Sequence, residues 1–377
     1  MAVTDEELVE YFETNQGTLT QERGDFLLPQ IVDFVVDRKW INSSPEYQRR
    51  QVWDNKKKSR LIESLLMNVP IPPIYLFEND YNRYEVMDGQ QRINSVVDFY
   101  KNTLKLTGLD SWKSFNGLTY DALPEKVKRG LDRRRLSSTV IITDLQNQPY
   151  GASDIRRQVF DRLNTGGMPL QDHELRNCLY PGLFNQLLIE LSSHPIFTDA
   201  FDIPRHSAHV TEGKRINPIL AKNSLFKRMK DCEIVLRFFA FRPDKALRGS
   251  IPKILDRCME EYLECDESDI SKLRGDFLRC LNLSNEMFGD KIFQLPGEHG
   301  KGKASIPLYD ATMIALDRLK GNDEALLRAG AKAKKILLKK LEDTHCYEIV
   351  IGKTGTAKAM QERIDLLTEV LKEAAEI

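Results

Sequence analysis

The spacing of apolar positions changes along the chain. Leu61, Ile62, Leu65, Leu66 and Val69 recur at helical intervals, with Ser59 near the start and Pro70 as the stop. The apolar run Pro73 to Phe77 and the segment Arg83 to Met87 flank the polar stretch Glu78 to Asn82, a pattern that predicts strand, turn and strand. Ile93, Val96, Val97 and Tyr100 then fall on one face of a helix. Thr139 to Thr143, rich in β-branched residues, predicts a further strand. From about residue 155 the texture becomes helical, with candidates at 154–163, 171–179, 182–193, 224–241, 251–264, 270–288, 307–319, 323–342 and 356–375. The expected fold is an α/β (α+β) N-terminal domain, residues 1–150, followed by a mainly α-helical C-terminal region, residues 151–377. The stretches 202–217 and 297–302 are the expected exposed loops, and no internal repeat or low-complexity tract interrupts the pattern.

Composition narrows the class. With 377 residues, 41% hydrophobic and 29% charged, the chain can bury a core in two or three domains. No stretch approaches the roughly 18 apolar residues of a spanning helix. Asp5, Glu6, Glu7 and Glu10 make the start unlike a signal peptide, so no membrane association and a cytoplasmic location are expected. Six cysteines without a C-x-x-C pair indicate neither a disulfide framework nor a zinc ribbon. A net charge of -1 argues against nonspecific coating of DNA, but local basic runs remain. Lys126, Lys128, Arg129, Arg133, Arg134 and Arg135 form the first; Lys222, Lys227, Arg228 and Lys230 the second; Lys332, Lys334, Lys335, Lys339 and Lys340 the third. Each reads either as a solvated helix face or as a nucleic-acid contact, and Arg133, Arg134 and Arg135 are the candidate DNA-binding residues.

The richest chemistry lies in Glu85-Val86-Met87-Asp88-Gly89-Gln90-Gln91-Arg92, at the predicted strand-to-helix turn. Backbone N–H groups and the positive end of the helix dipole attract an anion there, and Gly89 lets the main chain come close. Arg92 can grip phosphate oxygens, while Asp88 can hold Mg²⁺ or position a water. The alternative is a plain N-cap and turn with Arg92 on a solvated face. On that alternative, and on the functional one, substitutions at Asp88 and Arg92 are expected to leave the fold intact. Upstream, Tyr47-Gln48-Arg49-Arg50-Gln51-Val52-Trp53 sets two arginines beside aromatic rings, suited to phosphate and base, or else forms a surface loop whose Trp53 packs into the core.

The ordered set of Tyr-Gln-Arg-x3-Trp at 47–53, the helix to Val69, Pro70-Ile71-Pro72-Pro73-Ile74 and Asp-Gly-Gln-Gln-Arg resembles the GmrSD restriction endonuclease N-terminal domain family. Phe160 to Leu170, with Asn164-Thr165-Gly166-Gly167, and Glu174-Leu175-Arg176-Asn177 extend the likeness to about residue 180, and Glu233 to Phe238 resembles a helix of the same proteins. The resemblance implies a ParB/sulfiredoxin-like nucleotide-binding fold. It implies Asp88, Gln91 and Arg92 as catalytic, with Asp88 as the metal ligand, and Gln48, Arg49, Trp53, Gly89, Gln90 and Asn164 as nucleotide-binding. It further implies Mg²⁺ and a nucleoside triphosphate as cofactors, and turnover coupled to DNA recognition in a prokaryotic anti-phage or restriction system.

One family feature has no counterpart. Members that cut DNA alone carry a His-Asn-His type nuclease, whereas of the six histidines only His206 and His209 are close together and they fit no nuclease pattern. Cleavage is therefore expected from a separate nuclease or other defence protein, with homo-oligomerisation open. Two rival readings use the same residues: a non-catalytic DNA or nucleotide sensor that scaffolds a partner nuclease, and a nickase using Asp88 with Glu85. Strand alternation disfavours the second, because it would set Met87 on the Glu85 face and Asp88 on the other. Gly352-Lys353-Thr354 is not a P-loop, since Tyr347 stands where its first glycine belongs.

Overall fold

The structure is a computed structural model that describes residues 4–5, 7–9, 19–42, 53–143, 172–180, 182–205, 218–242, 247–289, 293–294, 304–351 and 356–377. Gln48, Arg49, Asn164, His206, His209 and the candidate helix 154–163 lie outside them. The chain separates into two compact units, one built on a sheet and one helical.

The sheet unit runs β1 (Leu19–Leu27), α1 (Leu28–Val36), β2 (Ile41–Asn42), α2 (Asn55–Leu66), β3 (Ile74–Asp80), β4 (Arg83–Asp88), α3 (Gln90–Tyr100), α4 (Glu125–Asp132) and β5 (Arg135–Thr143). Its five strands lie in the order β1-β5-β3-β4-β2. The pairs β1–β5 and β3–β4 are antiparallel, while β3–β5 and β2–β4 are parallel. Ile74, Leu76, Val86, Leu136 and Val140 of the strands share one buried cluster with Leu61, Ile62 and Leu65 of α2 and Ile93, Val96 and Phe99 of α3. Burying each such side chain contributes about 1.5–3 kcal/mol. The apolar spacing in α2 and α3 is thus the spacing of the core face.

Boundaries differ from the sequence expectation for local reasons. α2 begins before Ser59, because Asp54 caps it by accepting from Lys57 N–H at 2.8 Å. Ser59 turns inward instead, donating to Asn55 O at 2.6 Å and accepting from Thr107 N–H at 3.0 Å. The helix ends ahead of Pro70, where Asn68 takes a left-handed φ of 58°. The hairpin turn is only Tyr81 and Asn82, with Asn82 at φ 55°, so Glu78 to Asp80 continue β3. The sequence reading missed β1, whose Gln21-Glu22-Arg23-Gly24-Asp25 stretch carries no apolar alternation, and also α1 and α4.

A buried carboxylate organises the loop after α3. Glu63 accepts from Trp112 N–H at 2.7 Å, Ser111 N–H at 2.8 Å and Asp110 N–H at 3.3 Å. Burial pushes the Glu63 carboxyl up, but the three donors outweigh it, helped by Arg60, and hold it below the usual glutamate range. A carboxylate lowered in the folded state stabilises above its unfolded pKa, and that stabilisation is lost as pH falls through the folded value. Glu63→Gln is therefore expected to destabilise the protein by about 1.5–3 kcal/mol at neutral pH, the range for hydrogen bonds to a charged group. The gap to wild type should close as pH drops below the ordinary carboxylate range. Denaturation followed at several pH values checks this, and a pH-independent gap would contradict it.

The helical unit contains α5 (Asp172–Leu179), α6 (Leu183–Ser192), α7 (Pro195–Ala200), α8 (Pro218–Lys222), α9 (Ser224–Lys227), α10 (Lys230–Ala240), α11 (Ile251–Glu261), α12 (Glu267–Phe288), α13 (Ile306–Arg318), α14 (Asp323–Lys340), α15 (Thr344–Ile351) and α16 (Ala357–Ala375). The expected single helix 224–241 is two, broken at Met229, which adopts a left-handed φ of 54°. Ile349-Val350-Ile351 lies in α15, so the strand that a P-loop needs is not there. α10 is buried along most of its length, and α5 brings charge into the same core. Arg176 Nε donates to Asp256 at 2.8 Å and its Nη1 to Glu233 at 3.2 Å, while Glu174 pairs with Arg228 at 3.5 Å. The Glu-Leu-Arg-Asn segment is thus part of a buried polar network. Among the described residues no helix is long and apolar enough to cross a membrane.

Candidate functional site

The Asp88 turn is shaped by an irregularity in β4. Leu76 pairs with Val86 but Tyr75 pairs with Asp88, so Met87 is an extra residue, a bulge immediately before the turn. Bulges bend a strand and re-aim the residues that follow. Glu85, Val86 and Met87 are buried in succession. Simple alternation therefore does not carry through Met87 to Asp88, which removes the ground on which the nickase reading was disfavoured. A different observation bears on that reading: Glu85 is buried and accepts from Asn79 Nδ2 at 3.2 Å within the hairpin.

Gly89 makes the turn into α3. Its φ is 100°, and a Cβ built there would stand 2.4 Å from Ile74 Cγ2. Both the backbone angle and the space demand glycine. The helix then starts at Gln90, with Gly89 as its N-cap residue, and that end carries the positive pole of the helix dipole.

Asp88 and Arg92 face each other across this turn. Arg92 Nη2 donates to Asp88 Oδ2 at 2.7 Å and to Pro73 O at 3.0 Å. The Arg92 side chain is 14% exposed and that of Asp88 34%. Arg92 Nε is buried and has no hydrogen-bond partner among the described residues. The guanidinium is thus not on a solvated face; through Nη2 it braces the carboxylate against the Pro73 carbonyl. Removing Asp88 would leave the largely buried guanidinium without its carboxylate, and removing Arg92 would take a donor from Asp88 and from Pro73 O, so each substitution is expected to cost some stability.

Gln91 is buried, and its Oε1 accepts from Trp53 N–H at 2.9 Å. This bond ties the residue before the α2 cap to the first turn of α3, so the starts of the two helices adjoin. Trp53 is half-buried and packs on the core of the sheet unit. Lys58, also in the first turns of α2, pairs with Asp98 of α3 at 2.6 Å. Gln90 is half-buried.

The three candidate DNA contacts separate. Arg133 is exposed at the end of α4. Arg134 Nη2 donates to Leu66 O at 3.1 Å, closing the end of α2, and Arg135 Nη1 donates to Asp25 O at 3.3 Å. The end of α4 is anchored by Asp132, which accepts from Tyr100 Oη at 2.8 Å and Tyr120 Oη at 2.9 Å. Burial, with Asp132 beside it, pushes the Tyr120 phenol up to about 12 and Tyr100 higher still. In the second and third basic runs, Lys230 pairs with Glu233, Lys332 with Glu376 at 2.6 Å and Lys340 with Glu369 at 3.8 Å.

Two supporting residues were given no role by sequence reasoning: Pro73, whose carbonyl holds Arg92, and Ile74, which closes the space over Gly89. The signal available was the Pro-Ile-Pro-Pro-Ile run itself, which fixes an extended approach to β3.

Residues 32–181 match the model of the GmrSD restriction endonuclease, N-terminal domain. No curated protein and no solved structure matches the chain. The family points to a role in a prokaryotic restriction or defence system, suggests enzymatic activity, and implies DNA as the substrate class. The matched span takes in the sheet from β2 to β5 and ends just after α5. Residues 32–181 are a GmrSD restriction endonuclease N-terminal domain.

Proposed function

We propose that the Asp88–Arg92 turn binds the phosphates of a nucleoside triphosphate with Mg²⁺ and hydrolyses it, in step with DNA recognition, while DNA cleavage falls to a partner. The observation that carries the reading is the turn itself: a bulge, an obligatory glycine and a helix start next to a braced, partly exposed carboxylate. Such a helix start accommodates an anion through its N–H groups and dipole.

The donor set fits Mg²⁺. Asp88 Oδ2 is held by Arg92, and Oδ1 has no hydrogen-bond partner among the described residues. Mg²⁺ is commonly held by one or two carboxylates together with substrate phosphates. Asp88 would hold the ion through Oδ1, and the ion would supply neutralisation of phosphate charge. Arg92 fixes the orientation of that carboxylate, Gly89 lets the backbone approach the phosphates, and Gln91 keeps Trp53 and the start of α2 against the site. DNA contact falls to the exposed Arg133 and its α4 neighbours Lys126 and Arg129 rather than to Arg134, whose guanidinium closes α2.

Each of four ribonucleoside triphosphates is tested with Mg²⁺ by thermal shift and by phosphate release. One should raise the melting temperature, since ligand about a hundredfold above its Kd stabilises the native state by about 2.7 kcal/mol. Asp88→Asn should strongly reduce hydrolysis while binding partly survives, the melting of the unliganded variant serving as its own baseline. Hydrolysis unchanged in Asp88→Asn places the activity elsewhere and favours the sensor. The absence of any shift with all four nucleotides overturns the nucleotide reading.

A further inference from the structure

β1 forms one edge of the sheet and is hydrogen-bonded to β5 along one side. Leu28 N–H donates to Arg134 O at 3.1 Å and the Ser138 hydroxyl to Gly24 O at 3.0 Å. Even-numbered residues of β1 therefore turn their backbone groups to β5, and by alternation Gln21, Arg23, Asp25 and Leu27 turn theirs outward. Leu27 N–H is taken by Gln30 Oε1 at 2.8 Å, and Asp25 O accepts from Arg135 at 3.3 Å. The outward groups of Gln21 and Arg23 make no hydrogen bond among the described residues. Glu22 and Arg23 are exposed and form no ion pair among those residues, and among them the Asp25 carboxylate accepts only from the Ser137 hydroxyl, at 2.7 Å.

We propose that β1 pairs antiparallel with β1 of a second copy of the chain, about a two-fold axis at Gly24. A two-fold axis perpendicular to a sheet keeps every side chain on its own face, so it must pass through a residue position rather than between two. An axis at Glu22, Arg23 or Asp25 sets that charge against itself, and like charges directly opposite are unfavourable. An axis at Gln21 leaves both Glu22 and Arg23 unmatched. At Gly24, Arg23 of each copy stands opposite Asp25 of the other, so opposite charges meet twice. These are the outward-facing positions, where each opposed pair exchanges two backbone hydrogen bonds, and the second lone pair of Asp25 O is open to one of them. Gly24 meets itself at a non-hydrogen-bonded position, where strands come closest, and has no side chain to obstruct it. Charges on an edge strand ordinarily discourage pairing; here their order makes the strand complementary to its own reverse.

The test uses the full chain. Light scattering should give twice the 43.4 kDa chain mass. Arg23→Asp and Asp25→Arg should each weaken self-association by about tenfold or more, equivalent to about 1.4 kcal/mol. The double exchange should restore it, an outcome that loss of a purely internal role cannot produce. Gly24→Cys reads the register directly, because opposed residues at a non-hydrogen-bonded site lie about 4.5 Å apart at Cα, within the range a disulfide spans. A Cβ at Gly24 would sit 3.4 Å from Ser138 Oγ, an ordinary contact. Mild oxidation should cross-link this variant beyond the wild-type background. A single-chain mass for wild type, a dimer indifferent to both single exchanges, a double exchange without recovery, or no cross-link at Gly24→Cys would each overturn the proposal.

Discussion

Gly89→Ala is expected to destabilise the sheet unit by about 2–5 kcal/mol and to abolish nucleotide binding. A left-handed backbone costs a side-chain-bearing residue about 1–2 kcal/mol. The added methyl would also stand 2.4 Å from Ile74 Cγ2 and 3.0 Å from Ile74 Cβ, where the obstruction is a fully buried core side chain. Forcing an extra carbon into packed surroundings adds about 1–3 kcal/mol. The chain's three tryptophans, Trp40, Trp53 and Trp112, all lie in the sheet unit, so urea denaturation followed by tryptophan fluorescence reports on this unit. In an Ile74→Ala background the same Gly89→Ala exchange should cost less than in wild type, because Cγ2, the nearest obstructing atom, is gone. An alanine variant as stable as wild type would mean that the turn has a different backbone from the one described.

Asp310→Ala is expected to produce the largest loss in the helical unit, about 3–5 kcal/mol, the range for breaking a buried ion pair by removing one partner. Asp310 is fully buried in α13, and Arg237 of α10, 11% exposed, donates to it from Nε at 2.9 and 3.1 Å and also from Nη2. The same guanidinium lies 4.9 Å from the centre of the Phe241 ring. Without the carboxylate, the buried positive charge between α10 and α13 loses its hydrogen-bonded countercharge, and Glu233 offsets only part of it. Asp310→Asn, which keeps the shape and one acceptor oxygen, should fall between alanine and wild type. Replacing both partners, Arg237→Leu with Asp310→Leu, should cost less than Asp310→Ala alone, since the Arg237 charge is removed together with its partner. Thermal denaturation followed by helical circular dichroism measures all three. A double replacement worse than the single one would show that the pair contributes through its geometry rather than by cancelling charge.

Much of the fold was legible because burial leaves a periodic trace. α2 and α3 each carry one apolar stripe, and β3, β4 and β5 carry short apolar runs because their residues line the core. α1 was missed although its residues are apolar, since Leu28 to Val36 follows an exposed strand with no turn between them. β1 was missed because an edge strand half in water needs no apolar alternation, and its identity comes from hydrogen bonds to β5. The break at Met229 was invisible for a similar reason: apolar spacing runs on through both helices, and only the left-handed residue between them ends the first.

The sequence by itself determined which chemistry sits where along the chain: a carboxylate, a glycine, two amides and a guanidinium at a strand-to-helix turn, with the family resemblance resting on ordered motifs. These are properties of local order, and local order is what a sequence states directly. Only the tertiary structure decided what those groups face. Arg92 turns to Asp88 and Pro73 because β3 lies beside the turn. Gln91 points to Trp53 because α2 packs on α3, and Arg134 reaches Leu66 rather than solvent. The bulge at Met87 exists only in relation to β3, since a strand's register is a property of a pair. Partners 38 to 68 residues apart in sequence, as in the Gln91–Trp53 and Arg134–Leu66 bonds, are brought together by burial of a shared core. That closure is a long-range, non-periodic outcome, and no spacing along the chain encodes it.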